Sequence, residues 1–101
     1  MNFEELIEYL ECAWDREGFL GGIREGKFVA GDGEKFLSML GAIQINEEAL
    51  VPKRLVSLLW YLPSFLEWQN KRVQEKSGNL ELYRHFVTSI HNTLENVLGV
   101  P

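Results

Sequence analysis

Four carboxylates near the start of the chain, Glu4, Glu8, Glu11 and Asp15, are spaced i, i+4, i+7 and i+11. On a helix, at about 100° per residue, they share a band about 60° wide that faces away from Leu6, Ile7 and Leu10. No Lys or Arg falls within the band, and Arg16 lies beside it. Like charges at this spacing repel by a few tenths of a kcal/mol per pair, partly offset for Glu4 by the positive helix end. Such a row is either a solvated face or a docking ridge that imitates a row of phosphates. A docking ridge would seek a basic protein surface, such as a nuclease active site.

Other residues with chemical potential form weaker constellations. Glu81, His85 and Ser89 stand at i, i+4 and i+8, in the order of a carboxylate–imidazole–hydroxyl relay. A regular helix offers no oxyanion hole beside such a serine, so the expectation is a polar stripe and no enzyme. Gly21, Gly26 and Lys27 have the skeleton of a phosphate loop. Phe28 stands where that loop needs Ser or Thr, and no strand precedes the glycines, so a glycine-rich turn is expected. His85 and His91 are six residues apart, while His91 and Glu95 could share a face. Two ligands do not make a structural zinc site. Neither metal nor cofactor is therefore expected. The lone Cys12 excludes an internal disulfide and reads as a buried or half-buried apolar residue. Trp14 and Trp60 fit core stripes; Trp68, with Arg72 one turn later, has the residue types enriched at binding hot spots.

The 101 residues are expected to form one domain, 1–101, large enough for a core without staples. The net charge of −5 is divided unevenly. Residues 1–50 hold eleven acidic against four basic side chains, and residues 51–101 hold four against six. An acidic half disfavours nucleic acid and favours a basic protein partner. The opening MNFEELIEYLE has no basic segment followed by an apolar one, which reads as cytoplasmic and not secreted.

The elements that must position these residues read as helices. Asn2 and Glu5 form a capping-box pattern for a first helix that Gly18 should stop. Six of the nine glycines fall between Gly18 and Gly33, leaving room for a short turn over Leu20 to Glu25 that Gly26 ends. KFVA could be briefly extended. Asp32 looks like the cap of a helix to about Gly41, and Asn46 reads as the cap of a turn to Leu50. A central helix begins at Pro52, with a kink or break expected near residues 59–63 because of Pro63. Its apolar run, Leu55 to Leu66, would span about 18 Å, too short to cross a bilayer, so it should be the buried centre around which the other helices pack. A second arm runs from Pro63 to Lys76 and ends at Ser77-Gly78. Asn79 then caps a last helix with a stripe of Tyr83, Phe86, Val87, Ile90, Leu94, Val97 and Leu98. The fold class is all-α, a bundle of four to five helices with a central Pro-kinked or broken helix.

In size, acidity, the Glu4/Glu8/Glu11/Asp15 ridge and the LVSLLWYLPSFLEWQ core segment, the chain resembles the small immunity proteins of contact-dependent inhibition and related polymorphic toxin systems. The resemblance implies a protein that binds one cognate toxin domain and blocks it by charge and shape. The partner-binding set would be Glu4, Glu8, Glu11, Asp15, Trp68 and Arg72, with no nucleic acid and no membrane involved. The alternative is a helical scaffold or homodimer in which the Leu55–Leu66 run packs against its copy.

Overall fold

The computed structural model describes residues 1–101 and contains helices joined by short turns, with no strand. They are α1 (Phe3–Trp14), α2 (Phe19–Arg24), α3 (Ala30–Gly41), α4 (Lys53–Trp60), α5 (Leu62–Trp68), α6 (Asn70–Ser77) and α7 (Leu80–Leu98). Taking α4 to α6 as one interrupted rod gives five helical units, so the all-α bundle and its broken middle are as expected. No helix is long and apolar enough to cross a membrane.

The capping box forms at the start of α1: Asn2 Oδ1 accepts from Glu5 N at 2.8 Å, and Glu5 Oε1 accepts from Asn2 N at 3.1 Å. The helix ends at Trp14, earlier than the expected stop at Gly18. Gly18 instead caps the start of α2, which crosses close to the end of α1. A Cβ at Gly18 would lie 2.5 Å from the carbonyl oxygen of Ala13, so the crossing requires glycine. Gly26 ends α2 as expected, with φ of 90°, and a Cβ there would meet the Arg72 carbonyl oxygen at 2.6 Å.

Two other starts differ from expectation. Asp32 does not cap α3: that helix begins at Ala30 with Val29 as its cap, and Asp32 sits in the first turn, where the helix dipole favours an anion. Pro52 is the cap of α4 and not its first helical residue. Asn79 does cap α7, accepting from Leu82 N at 3.2 Å.

The rod from 53 to 77 breaks twice. The first break, at Tyr61, is the one expected from Pro63. The second, at Gln69, was not expected, and its cause is local. Gln69 Nε2 donates to Phe65 O at 3.3 Å, taking the carbonyl the helical ladder would use, while Gln69 N turns to Leu66 O.

Each break leaves carbonyls short of the regular helical pattern, and Leu66 O keeps only the turn-type bond from Gln69 N. Side chains from other helices supply the donors. Trp14 Nε1 donates to Leu58 O at 3.0 Å, and the Tyr83 hydroxyl donates to Leu66 O at 2.6 Å. At the end of α2, Arg72 Nη1 donates to Arg24 O at 2.8 Å, and Ser77 Oγ donates to Gly26 O at 2.7 Å. Short helices are thus held by the polar tips of residues whose bodies pack elsewhere.

The rod is not the buried centre. Leu55, Leu58, Leu59, Leu62, Phe65 and Leu66 point inward, but Trp60 is 59% exposed and Val56 is also open. The centre is α7, which packs on α3, α5 and α6 and buries Tyr83, Phe86, Val87, Ile90, Leu94 and Val97. Leu98, expected in that stripe, is exposed. Phe19, Phe28, Phe36 and Phe86 meet one another beside Tyr83, with centroid separations such as 5.3 Å for Phe19–Phe36 and 5.1 Å for Phe28–Tyr83. Helix α1 packs against α4 and α2, and its Tyr9 stacks on Phe36 at 6.5 Å.

Candidate protein-docking surface

The carboxylates expected on one face of α1 are all exposed. They differ in their partners. Glu11 Oε2 accepts from Arg54 Nε at 3.0 Å and pairs with Nη2 at 2.9 Å, so a cation from α4 neutralises this one acid. Both side chains are about half exposed, which keeps the worth of the pair small. Glu4, Glu8 and Asp15 have no ion-pair partner. Asp15 Oδ1 accepts only the backbone N–H of Arg16, at 2.9 Å. Cys12, expected to be at least half-buried, is exposed. Its position four residues after Glu8 and three before Asp15 puts it on the acidic side of α1, away from the Leu6–Leu10 face.

Trp68 and Arg72 lie on the rod. Trp68 is 69% exposed and meets Tyr61 edge-on at 6.0 Å. Tyr61 also touches Trp60 at 5.6 Å and Trp14 at 6.1 Å, which makes it the hub of an aromatic island. Trp14 is its half-buried root, packed edge-on to Phe65 at 4.7 Å. Arg24 lies over the ring of Phe65 at 5.3 Å, and Arg72 is bonded to the Arg24 carbonyl. A shallow depression lined by Trp14, Arg24, Arg54, Ser57, Leu58 and Tyr61 joins the two regions.

The structure therefore brings Glu11, Trp68 and Arg72 onto one continuous surface, linked through Arg54, Tyr61 and Arg24. Glu4 and Glu8 continue that surface along α1. Four of its residues were missed as surface features: Trp60, Tyr61, Arg24 and Arg54. For Trp60 the signal was present. Leu55, Leu58, Leu59 and Leu62 recur at three- and four-residue spacing, so Val56 and Trp60, themselves four apart, must face the other way. Arg24 carried no such signal, because its neighbours come from other helices; Arg54 stands at the helix end that disfavours a cation, which points to another purpose but not to its partner Glu11 on α1.

The remaining constellations do not assemble. Glu81 and His85 are exposed and Ser89 is half-buried, with no hydrogen bond joining them. His91 turns to Glu67, with Nε2 3.3 Å from Oε1, and not to Glu95. Around the glycine-rich turn, the N–H groups of Gly22, Gly26 and Lys27 donate to Gly18, Ile23 and Gly22 carbonyls, which leaves them unavailable to a phosphate. No group of three His, Cys, Asp or Glu side chains is placed to hold a metal ion. What the surface offers chemically is contact: exposed aromatic faces around Tyr61, free carboxylates along α1, guanidinium groups of Arg24 and Arg54 about the depression, and both Glu67 and Arg84 beside Trp68. Comparison with protein-family models, curated proteins and solved structures found no match, so the functional reading rests on this geometry.

Proposed function

We propose that the chain is a protein-binding module that neutralises a cognate toxin domain, in the manner of an immunity protein, by docking the acidic face of α1 on a basic surface. The observation that carries this reading is the row of free carboxylates: Glu4, Glu8 and Asp15 stand exposed and unpaired on one helix face. In a chain with ten Lys and Arg, pairing them internally was possible, and only Glu11 is so matched. Free carboxylates in a row steer a cationic partner, and a basic nuclease domain offers the complementary field. Exposed Trp68 at the neighbouring island would supply the apolar anchor that charge alone lacks.

The test is protection and association together. The chain is co-expressed with a candidate basic toxin domain encoded in an adjoining reading frame, and growth is scored against the toxin alone. Association is then timed at low salt for the parent chain and for the Glu8→Gln/Asp15→Asn variant. The variant should associate on the order of 10-fold more slowly, a gap that closes as salt rises. An unchanged rate at low salt would remove the ridge from the interface.

A further inference from the structure

Helix α6 has little apolar hold on the rest of the chain. Of its eight residues only Val73 is buried, and Asn70 is half-buried. No side chain caps its start, and Lys71 and Arg72 stand at the end where the helix dipole disfavours cations. Eight residues are too few for a helix to keep its shape alone in water. Its order therefore comes from what it touches.

A row of polar contacts to the end of α2 does the work of an apolar face. Arg72 Nη1 donates to Arg24 O at 2.8 Å. Ser77 Oγ donates to Gly26 O at 2.7 Å and accepts from Phe28 N at 3.1 Å, so one hydroxyl holds both sides of the turn. Gly26 lies against the helix itself, where a Cβ would fall 2.6 Å from Arg72 O and 2.7 Å from Lys76 Cγ. Each end of α6 meets a change of backbone direction. Gln69 interrupts the rod before it, and Gly78 follows it with φ of 74° and open space where a side chain would stand.

We infer that α6 is a strap that lifts as a unit about Gln69 and Gly78, releasing the Gly26–Phe28 turn while α7 stays folded. A segment with one buried apolar side chain and exposed polar clips opens at lower free energy than a core element, and α7 buries six side chains. The clips join residues about fifty positions apart, so all of them depend on where α6 lies. In the lifted state the carbonyls of Arg24 and Gly26 turn to water, the Phe28 N–H loses its acceptor, and Arg72 is freed from the carbonyl that fixes it. The strap is a matter of contacts within the chain and does not depend on the toxin reading.

Native-state hydrogen exchange of the full chain, read residue by residue by NMR where exchange follows the open population, tests it. The Phe28 amide is held by Ser77 Oγ and the Val73 amide by Gln69 O, so the two report on the clip and on the helix. They should share one protection factor, at least ~100-fold below those of Ile90 and Leu94 in α7. Arg72→Gln should speed both by a common factor of about 10, although Arg72 does not touch the Phe28 amide. Ser77→Ala should likewise speed Val73, and Ser77→Thr, which keeps the hydroxyl, should hold the parental rates. Ile90→Val trims only the core. It should speed the α7 amides about 3–10-fold and leave Phe28 and Val73 unchanged, because that packing is intact while α6 is lifted. Protection at Phe28 and Val73 equal to that of α7 overturns the strap. So does an Arg72→Gln that speeds Val73 and leaves Phe28 alone, since the clips would then open one by one. An Ile90→Val that speeds all four amides alike overturns it too, because α6 would then open only with the whole fold.

Discussion

Two stretches, α7 and the longer α4–α6 rod, use their apolar residues in opposite ways. The rod holds the denser apolar run, LVSLLWYLPSFL over residues 55–66, unbroken by charge, whereas LELYRHFVTSIHNTLENVL mixes charges and amides throughout. Yet α7 runs 19 residues without interruption and lies at the centre, while the rod breaks at Tyr61 and Gln69 and shows two tryptophans to solvent. Position in a bundle is decided by the phase of the apolar stripe and not by its density. An uninterrupted helix keeps one face in register over five turns. Each break resets the phase, so residues that look equally greasy are sent to opposite sides.

The hinge between the two stretches is Tyr83. It lies on α7, is fully buried, and donates to the carbonyl of Leu66 next to the rod's second break. Tyr83→Ala would empty the contact with Phe28 and remove the hydroxyl bond that ties the first turn of α7 to α5. The expected loss is about 3–5 kcal/mol, the range for truncating a large buried ring, read by urea melts. A loss under about 1 kcal/mol would mean that α7 is not the centre.

Smaller effects separate packing from donation. Tyr83→Phe keeps the ring and removes the hydroxyl, and since Leu66 O retains Gln69 N, the cost should be about 1 kcal/mol. Burial pushes the Tyr83 phenol well above its ordinary range. The folded state therefore holds the proton more tightly than the unfolded one. Its contribution is complete below the unfolded value of about 10 and declines as pH rises past it. Thermal melts from about pH 8 to 11 should show the parent losing stability faster than Tyr83→Phe above pH 10, with parallel curves below. Curves parallel across the whole range would contradict a buried phenol.

Sequence alone made the helices legible, together with the caps at Asn2 and Asn79, the stop at Gly26 and the break at Pro63. Each of these depends on residues within four positions of one another. The surface was legible only in part. The α1 carboxylates follow from spacing, but the Arg54 that neutralises Glu11 is 43 residues away, and the Arg24 that borders the island is 48 from the Arg72 bonded to it. The second break escaped because Gln69 acts through its side chain and not through a backbone preference. Trp60 was misassigned to the core by counting apolar residues where counting their phase would have turned it outward.

The smallest expected effect tests that last distinction. Trp14 and Trp68 both touch Tyr61, but Trp14 is rooted between α1 and the rod with its indole N–H on Leu58 O, and Trp68 stands mostly in solvent. Trp14→Phe should cost about 1–2 kcal/mol, because it strips a donor from a carbonyl at the first break. Trp68→Ala should change monomer stability by no more than about 0.5 kcal/mol when measured at sub-micromolar concentration, as for an exposed residue outside the core. A Trp68 cost matching that of Trp14 would place the indole inside the fold's own packing, and the rod's outer face would then be structural and not a surface free for docking.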